Sequence, residues 1–467
     1  MDFEKLVDKD EVLKNMQFMN SLGARLTGNK AHKAFISHLK MQVEALGLKT
    51  FEDTYRFDRW EEKRSSIIID DTEEIKIASA FPYSGYTSQS GIKGELILVK
   101  NNRRGFKKAN GKIAVVKIKS RRIPHSIVFN KRAAVPEGIK LPKNYGGAVL
   151  TSFINSPKLS EAKRLGVKAV ICIWSGEEDE MVEGNYLPFT EDYKDLPALW
   201  INHTEGKKIE KAAENHKLAD LILEAELEKN ASTETFYTIL EGENRKEAII
   251  VNTHTDGTNC VEENGALALI EMIKVLKTMK LKKSIIFVFA TGHFRIPSII
   301  QGKGQATKRW LEDHRELWDG IEGHIKAVAG VTLEHLGCSE WGIADGKYTK
   351  LNDVDFELCY TGNSIVNEIY LKALEGRKNV RSICLRPHNK IHFGEGQPLF
   401  DAGIPDIALV PGPNYLCVVS KSGEIEKFNF ELMYEQIITF IKVILMLNGT
   451  ESSELGEGDK YSFLISI

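Results

Sequence analysis

The residue types best suited to chemistry gather in one stretch, Glu247 to Gly265, EAIIVNTHTDGTNCVEENG. Ala248 to Val251 are apolar and partly β-branched, the pattern of a strand buried on both faces. That strand runs into His254 and Asp256. Acidic Glu262 and Glu263 follow, and Gly265 opens a helix whose apolar face is Ala266, Leu269, Ile270, Ile273 and Leu276. Open α/β sheets keep their ligand crevice at the carboxyl ends of the strands, where these four polar residues fall. An imidazole is a nitrogen ligand for zinc, and the Asp256 carboxylate, two residues on, is placed to accept the second ring N–H of His254. The plainer alternative is a capped strand-loop-helix with a solvated histidine.

Two more buried strands end the same way. Lys283 to Ala290 (KSIIFVFA) leads into Gly292 and His293, and Ile325 to Leu333 leads into Glu334 and His335. A single histidine at such a position is usually a satisfied core or surface residue. Three strands of one parallel sheet ending in imidazole or carboxylate converge on one crevice, which argues for a metal. Nitrogen and oxygen donors without thiolate suit zinc first, then manganese or cobalt.

The elements that position these residues alternate strand and helix, with a fourth strand at Ile404 to Val410 and a closing helix over Phe430 to Leu447. That alternation predicts a doubly wound, mostly parallel α/β domain. Two helices are expected before residue 50, then strands at Thr50 to Trp60 and Ser66 to Ile69. From about 79 to 232 the texture changes to short strands, at Glu95–Val99, Lys112–Lys117, Ala148–Ser152, Ala169–Trp174 and Ala198–Ile201, with one helix over Ser160 to Leu165. The expected organisation is therefore a principal domain of residues 1–78 and 233–467 carrying a β-rich insertion at 79–232.

A chain of 467 residues exceeds one compact core and fits two domains. The net charge of −2 gives no reason to expect nucleic acid or another highly charged partner. Lys100 to Arg132 is basic without an acidic residue, and reads as a solvated face. Six scattered cysteines with no C-x-x-C pair suit a reducing compartment, so the cytoplasm is the expected address. The charged, helix-like start at Met1-Asp2-Phe3-Glu4 has no signal-peptide core, and no apolar run is long enough to span a membrane.

With these motifs in order, the chain resembles the zinc-dependent exopeptidases, a family that includes bacterial leucyl aminopeptidases, glutamate carboxypeptidase II, glutaminyl cyclase and the transferrin receptor. Gly23-Ala24-Arg25-Leu26-Thr27-Gly28 matches the family's G-x-R-x-x-G signature, and Asn252-Thr253-His254-Thr255-Asp256 its H-x-D ligand motif. Glu334 matches the strand-end acid, and Gly403-Ile404-Pro405 the late G-I-P turn. The resemblance implies a protease-associated domain at 79–232 and one intact metal position, built from His254, Glu262 and Glu334 with Asp256 behind His254. The departures fall within the site. The family's metal-bridging Asp is Val261 here, with Glu262 one step later. Its catalytic Glu-Glu pair is Gly292 and His293, and its last histidine ligand, due near Tyr415-Leu416-Cys417, is absent.

The resemblance thus implies a single zinc with His293 either as an added ligand or as the base. Glu263 is the other base candidate. His335 is a stabiliser of the oxyanion if the strand has already ended, since neighbours on a strand face opposite sides. His388 and His392 line the expected substrate loop. The implied activity is amide hydrolysis in a small peptide or N-substituted amino acid. The alternatives are a catalytically silent binding protein, in the manner of the transferrin receptor, and glutaminyl-cyclase-like amide chemistry.

Overall fold

A computed structural model describes residues 3–299 and 304–463; Met1 and Asp2, the start of the expected N-terminal segment, lie outside them. The fold is mixed α/β around one long sheet. Its central block is the strands Lys283–Ala290, Asn244–His254, Lys326–Leu333 and Asp406–Leu409, side by side and parallel. Alternate residues serve opposite layers, as strand geometry requires. Ile249, Val251, Ile285, Phe287 and Phe289 face the helices Lys9–Ser21, Lys30–Ala45, Gly265–Leu276 and Phe430–Gly449. Ala248, Ile250, Ile286 and Val288 face Trp310, Leu399 and Ile404. Each such fully buried aliphatic or aromatic side chain contributes about 1.5–3 kcal/mol, so the block is rigid. All four strands deliver their carboxyl ends to one edge.

Two long strands tie this block to the rest. The two strands expected at 50–69 are one, Phe51–Ile69, bulged at Phe57/Arg59 and at Glu62/Arg64, and it pairs along Leu218–Leu240. Leu218–Leu240 pairs through Phe236–Leu240 with the central block and through Leu218–Leu221 with a second group of strands. That second group is Ile92–Leu98, Ile113–Lys119, Ala169–Ser175 and Ala198–Ile201, all parallel, with Ser79–Ala80 on its edge. It has its own buried clusters around Trp174, Trp200, Ile171 and Ile173.

The texture of this region differs from the expected β-rich module. Ala148–Ser152 is not a strand but the start of a helix, Ala148–Ile154, whose buried Ala148, Thr151 and Ser152 follow helical spacing. A short apolar run does not distinguish the two by periodicity. His203–Glu214 is a further helix, packed on the strands. Asn130–Val135 pairs antiparallel with Ser382–Arg386 at the far edge of the main sheet. The strand Glu357–Thr361, the helix Ser364–Ala373 and the hairpin Glu340–Ala344/Lys347–Asn352 add to the expected elements. Among the described residues no helix is long and apolar enough to cross a membrane. All six cysteines are buried and unpaired.

Candidate metal centre

At the carboxyl edge of the central block the side chains of His254, Glu262, His293, Glu334 and His335 turn towards one another. None is more than 6% exposed. Two sets of donor atoms lie within 4.8 Å of one another: His254 with Glu262 and His293, and His254 with Glu334 and His335. The expected trio of His254, Glu262 and Glu334 is divided between these sets. His254 Nε2 and His335 Nε2 each stand 3.7 Å from Glu334 Oε2, and His335 Nε2 is 3.7 Å from Glu262 Oε1.

Each group is aimed from behind. His254 Nδ1 lies 2.8 Å from the backbone carbonyl of Asp256 and donates its proton there, leaving the Nε2 lone pair bare. The acceptor is thus the Asp256 carbonyl and not, as expected, its carboxylate. That carboxylate accepts the backbone N–H groups of Gly292, His293 and Phe294 and the Thr27 hydroxyl, fixing the turn that carries His293. His335 Nδ1 donates to the Pro411 carbonyl at 2.6 Å, and its Nε2 is likewise bare. The strand ends at Leu333, and His335 adopts a left-handed φ of 55°. This turn brings Glu334 and His335 to the same side, which strand alternation would forbid. Asn264, at the head of the Gly265 helix, accepts from the N–H and donates to the C=O of Leu336, locking the turn.

His293 stacks face to face on His254, with ring centres 4.2 Å apart and planes 15° apart. Its Nδ1 is 2.7 Å from Glu395 Oε1. Glu395 went unnoticed in the sequence, where Gly394-Glu395-Gly396 reads as an ordinary loop. Phe189, from the region of residues 79–232, also stacks on His293, with ring centres 5.6 Å apart.

Glu263 does not stand free in the site. Its Oε1 pairs with Arg25 Nε, both side chains fully buried, and Arg25 also holds the carbonyls of Met19, Gly23 and Asn259. The G-x-R-x-x-G loop is thereby fastened to the helix-opening turn. His388 bonds Ser462, and His392 pairs with Asp406 at 2.9 Å while stacked on Tyr360; neither joins the cluster. At Gly292 φ is +97°, and a Cβ would lie 2.2 Å from Ile299 Cγ1.

Burial dominates the electrostatics. It pushes the Glu334 carboxyl up to about 8 and Glu262 well above the usual range. It drives His254 well below the usual histidine range, with His293 and His335 adding repulsion, and takes His335 down to about 3. At His293 burial also opposes the charge, but the hydrogen bond and charge of Glu395 outweigh it and raise the ring to about 9.

A stability consequence follows. A group whose pKa is raised by folding favours the fold while protonated, and that stability is lost as pH rises towards the folded value. For Glu334 the loss runs from 4.5 to about 8, and for His293 from 6.5 to about 9. His254 and His335, depressed below 6.5, change state only at lower pH. In chelator, the melting temperature is expected to fall by several degrees between about pH 6.5 and 8. With zinc in the cluster the part of this fall due to Glu334 should disappear, because a bound metal displaces the proton of a ligating carboxylate. Thermal melts across that range check it, and identical profiles with and without zinc would contradict it.

The fold is that of zinc aminopeptidases of known structure. The zinc aminopeptidase of Bacillus subtilis superposes with a TM-score of 0.65 at 16% identity, covering 97% of this chain and 99% of that one. An aminopeptidase from Aneurinibacillus sp. strain AM-1 gives 0.63 at 15% identity over 100% and 98%. A peptidase M28 precursor from Shewanella amazonensis gives 0.62 at 12% over 94% and 96%. No family model and no curated protein sequence matches the chain. At these identities the likeness establishes the architecture, and the chemistry rests on the residues of this chain.

Proposed function

We propose that the protein is a metal-dependent hydrolase of the aminopeptidase kind, cleaving an amide bond in a small peptide or an N-substituted amino acid with a single zinc ion. One observation carries the reading. His254 Nε2, His335 Nε2 and Glu334 Oε2 are buried without a hydrogen-bond partner and Glu334 Oε2 lies 3.7 Å from both rings, while Glu262, whose buried Oε2 is likewise orphaned, sets its Oε1 3.7 Å from His335 Nε2. Orphaned buried polar atoms are costly, and four together in one crevice call for a cation.

The donors fit zinc in kind and spacing. Two ligands of a tetrahedral zinc stand about 3.4 Å apart, close to the 3.7 Å between Glu334 and each of the two imidazoles. Two carboxylates with neutral imidazoles balance a doubly charged ion. The rings select among the histidines, because a metal lies in the plane of each imidazole that holds it. The planes of His254 and His335 cross at 68°, so one ion can lie in both. Those of His254 and His293 are nearly parallel and do not meet nearby. We therefore assign His254, Glu334 and His335 as ligands, with Glu262 beside them. His293 is left for proton transfer. His335 thus moves from expected oxyanion stabiliser to ligand.

When bound, zinc polarises a carbonyl oxygen and brings the acidity of water near neutral pH. The chain's own residues do the rest. His254 and His335 keep their Nε2 atoms forward because their Nδ1 protons are engaged by Asp256 and Pro411. His293, its Nδ1 held by Glu395 and its ring raised to about 9, carries a proton near neutral pH and is placed to give it up and take one back. Phe189 covers the His293 face and keeps water from it, and a roof this close suits a short substrate and not a folded protein. In this reading residues of about 79–232 act as the family's protease-associated domain. The unpaired cysteines support a reducing compartment such as the cytoplasm.

A second reading has its own support. The backbone at Gly292 and the side chain of Ile299 leave no space for the carboxylate that the family uses as base, which favours a peptidase-like binding protein without turnover. A panel of aminoacyl, N-acyl and dipeptide amides, run with zinc and with chelator, separates the two. Turnover that chelator abolishes and His293→Ala removes is the expected result. No turnover by zinc-loaded protein on any of them would favour the second reading.

A further inference from the structure

We propose that Glu395 is the positioning residue of this centre, clamping His293 with its carboxylate and Glu334 with its backbone amide so that the two keep one register on either side of His254. The inference rests on the metal reading above and adds a residue that the family's motifs do not mark. Glu395 Oε1 accepts from His293 Nδ1 at 2.7 Å and from the Ala306 N–H at 3.1 Å, and its Oε2 accepts from the Thr307 N–H at 2.7 Å. The Glu395 N–H donates to Glu334 Oε1, and the Glu395 carbonyl accepts from Asn252 Nδ2 at 2.9 Å. Asn252 Oδ1 in turn accepts the Thr332 hydroxyl at 2.6 Å. One loop residue is thereby laced to the strands that carry His254 and Glu334 and to the turn that carries His293.

The local backbone is fitted to this task. Gly394 has φ +76°, and a Cβ there would stand 2.6 Å from Glu334 Oε1. Only glycine lets the loop seat directly on that carboxylate. A carboxylate that merely stabilised the fold would need its three donors and nothing more. Here one donor is the ring of His293, which belongs to one of the two close donor sets and stacks on His254, and the residue's own N–H ends on Glu334, an assigned ligand. Carboxylate partners behind histidines and hydrogen bonds to ligating carboxylates fix orientation and basicity in metal sites generally.

The test uses full-length protein loaded with cobalt, whose visible absorption reports ligand number and arrangement, alongside zinc affinity by competition with a chromophoric chelator. Glu395→Ala is expected to weaken metal binding by about 10- to 100-fold and to shift the cobalt bands. Glu395→Gln, whose amide oxygen still accepts the His293 proton, is expected to restore most of both. Unchanged affinity and bands in Glu395→Ala would overturn the proposal. Nitrogen-15 histidine spectra of the wild-type holoprotein give a check that does not depend on a Glu395 variant. The His293 Nδ1 proton, assigned by its loss in His293→Ala, is expected far downfield as a carboxylate-bonded proton, and its absence would equally overturn the proposal. Wild-type protein that takes up no cobalt is a different failure. It sinks the metal reading and with it the clamp on a ligand, whatever the Nδ1 proton shows.

Discussion

His254→Ala is expected to lose zinc affinity by more than about 100-fold, the largest effect of any single substitution in the centre. His254 belongs to both sets of close donors, and its Nε2 has no partner in the protein. His335→Ala should follow it closely, because the crossing of these two ring planes assigns both to one ion. His293→Ala should cost about tenfold, the low end of the range for groups that act from behind or beside a ligand. Zinc titration of the three variants reads this order directly. A His293→Ala protein that loses metal as completely as His254→Ala would return His293 to the ligand set and displace His335.

That order differs from the one the sequence suggests, for a physical reason. Residue types at strand ends mark the crevice, since burial patterns reveal strands and the chain direction of parallel strands fixes which ends converge. His254, His293, Glu334 and His335 are legible in that way, and Glu262 by its place just before a helix. Their division into ligand and neighbour was not, because it depends on ring planes and on one backbone torsion. His335 reaches the site only through its left-handed φ, which nothing in the Glu334-His335-Leu336 triplet announces. Glu395 was invisible because its contacts come from Asn252, His293, Ala306 and Glu334, far apart in sequence. Glu263 reads as available in the sequence because its partner Arg25 lies more than two hundred residues earlier.

The fold shows the same division. The central strands were legible from unbroken apolar runs, and Lys283–Ala290 is found as read. The short run at 148–152 was misassigned, because in so few residues helical and strand burial look alike. The excursion of Asn130–Val135 to the far edge of the main sheet carries no local signal, since edge pairing is decided by the partner strand.

Gly292→Glu is expected to destabilise the protein by roughly 3 kcal/mol, and not to restore a family-type base. The left-handed backbone at this position and the overlap of its Cβ with Ile299 each contribute on the order of 1–3 kcal/mol. Urea unfolding of zinc-loaded protein measures the loss. Adding Ile299→Ala should recover the packing part and leave the backbone part. A Gly292→Glu protein as stable as wild type would mean that this loop rearranges freely, and the case for His293 as the only proton-transfer group would fall with it.

The central claim is that the orphaned donors at these strand ends hold one metal ion. Its most direct test is elemental analysis of wild-type protein saturated with zinc and then dialysed exhaustively against metal-free buffer. The account predicts one zinc per chain. Retention of none, or of two held equally tightly, would contradict it.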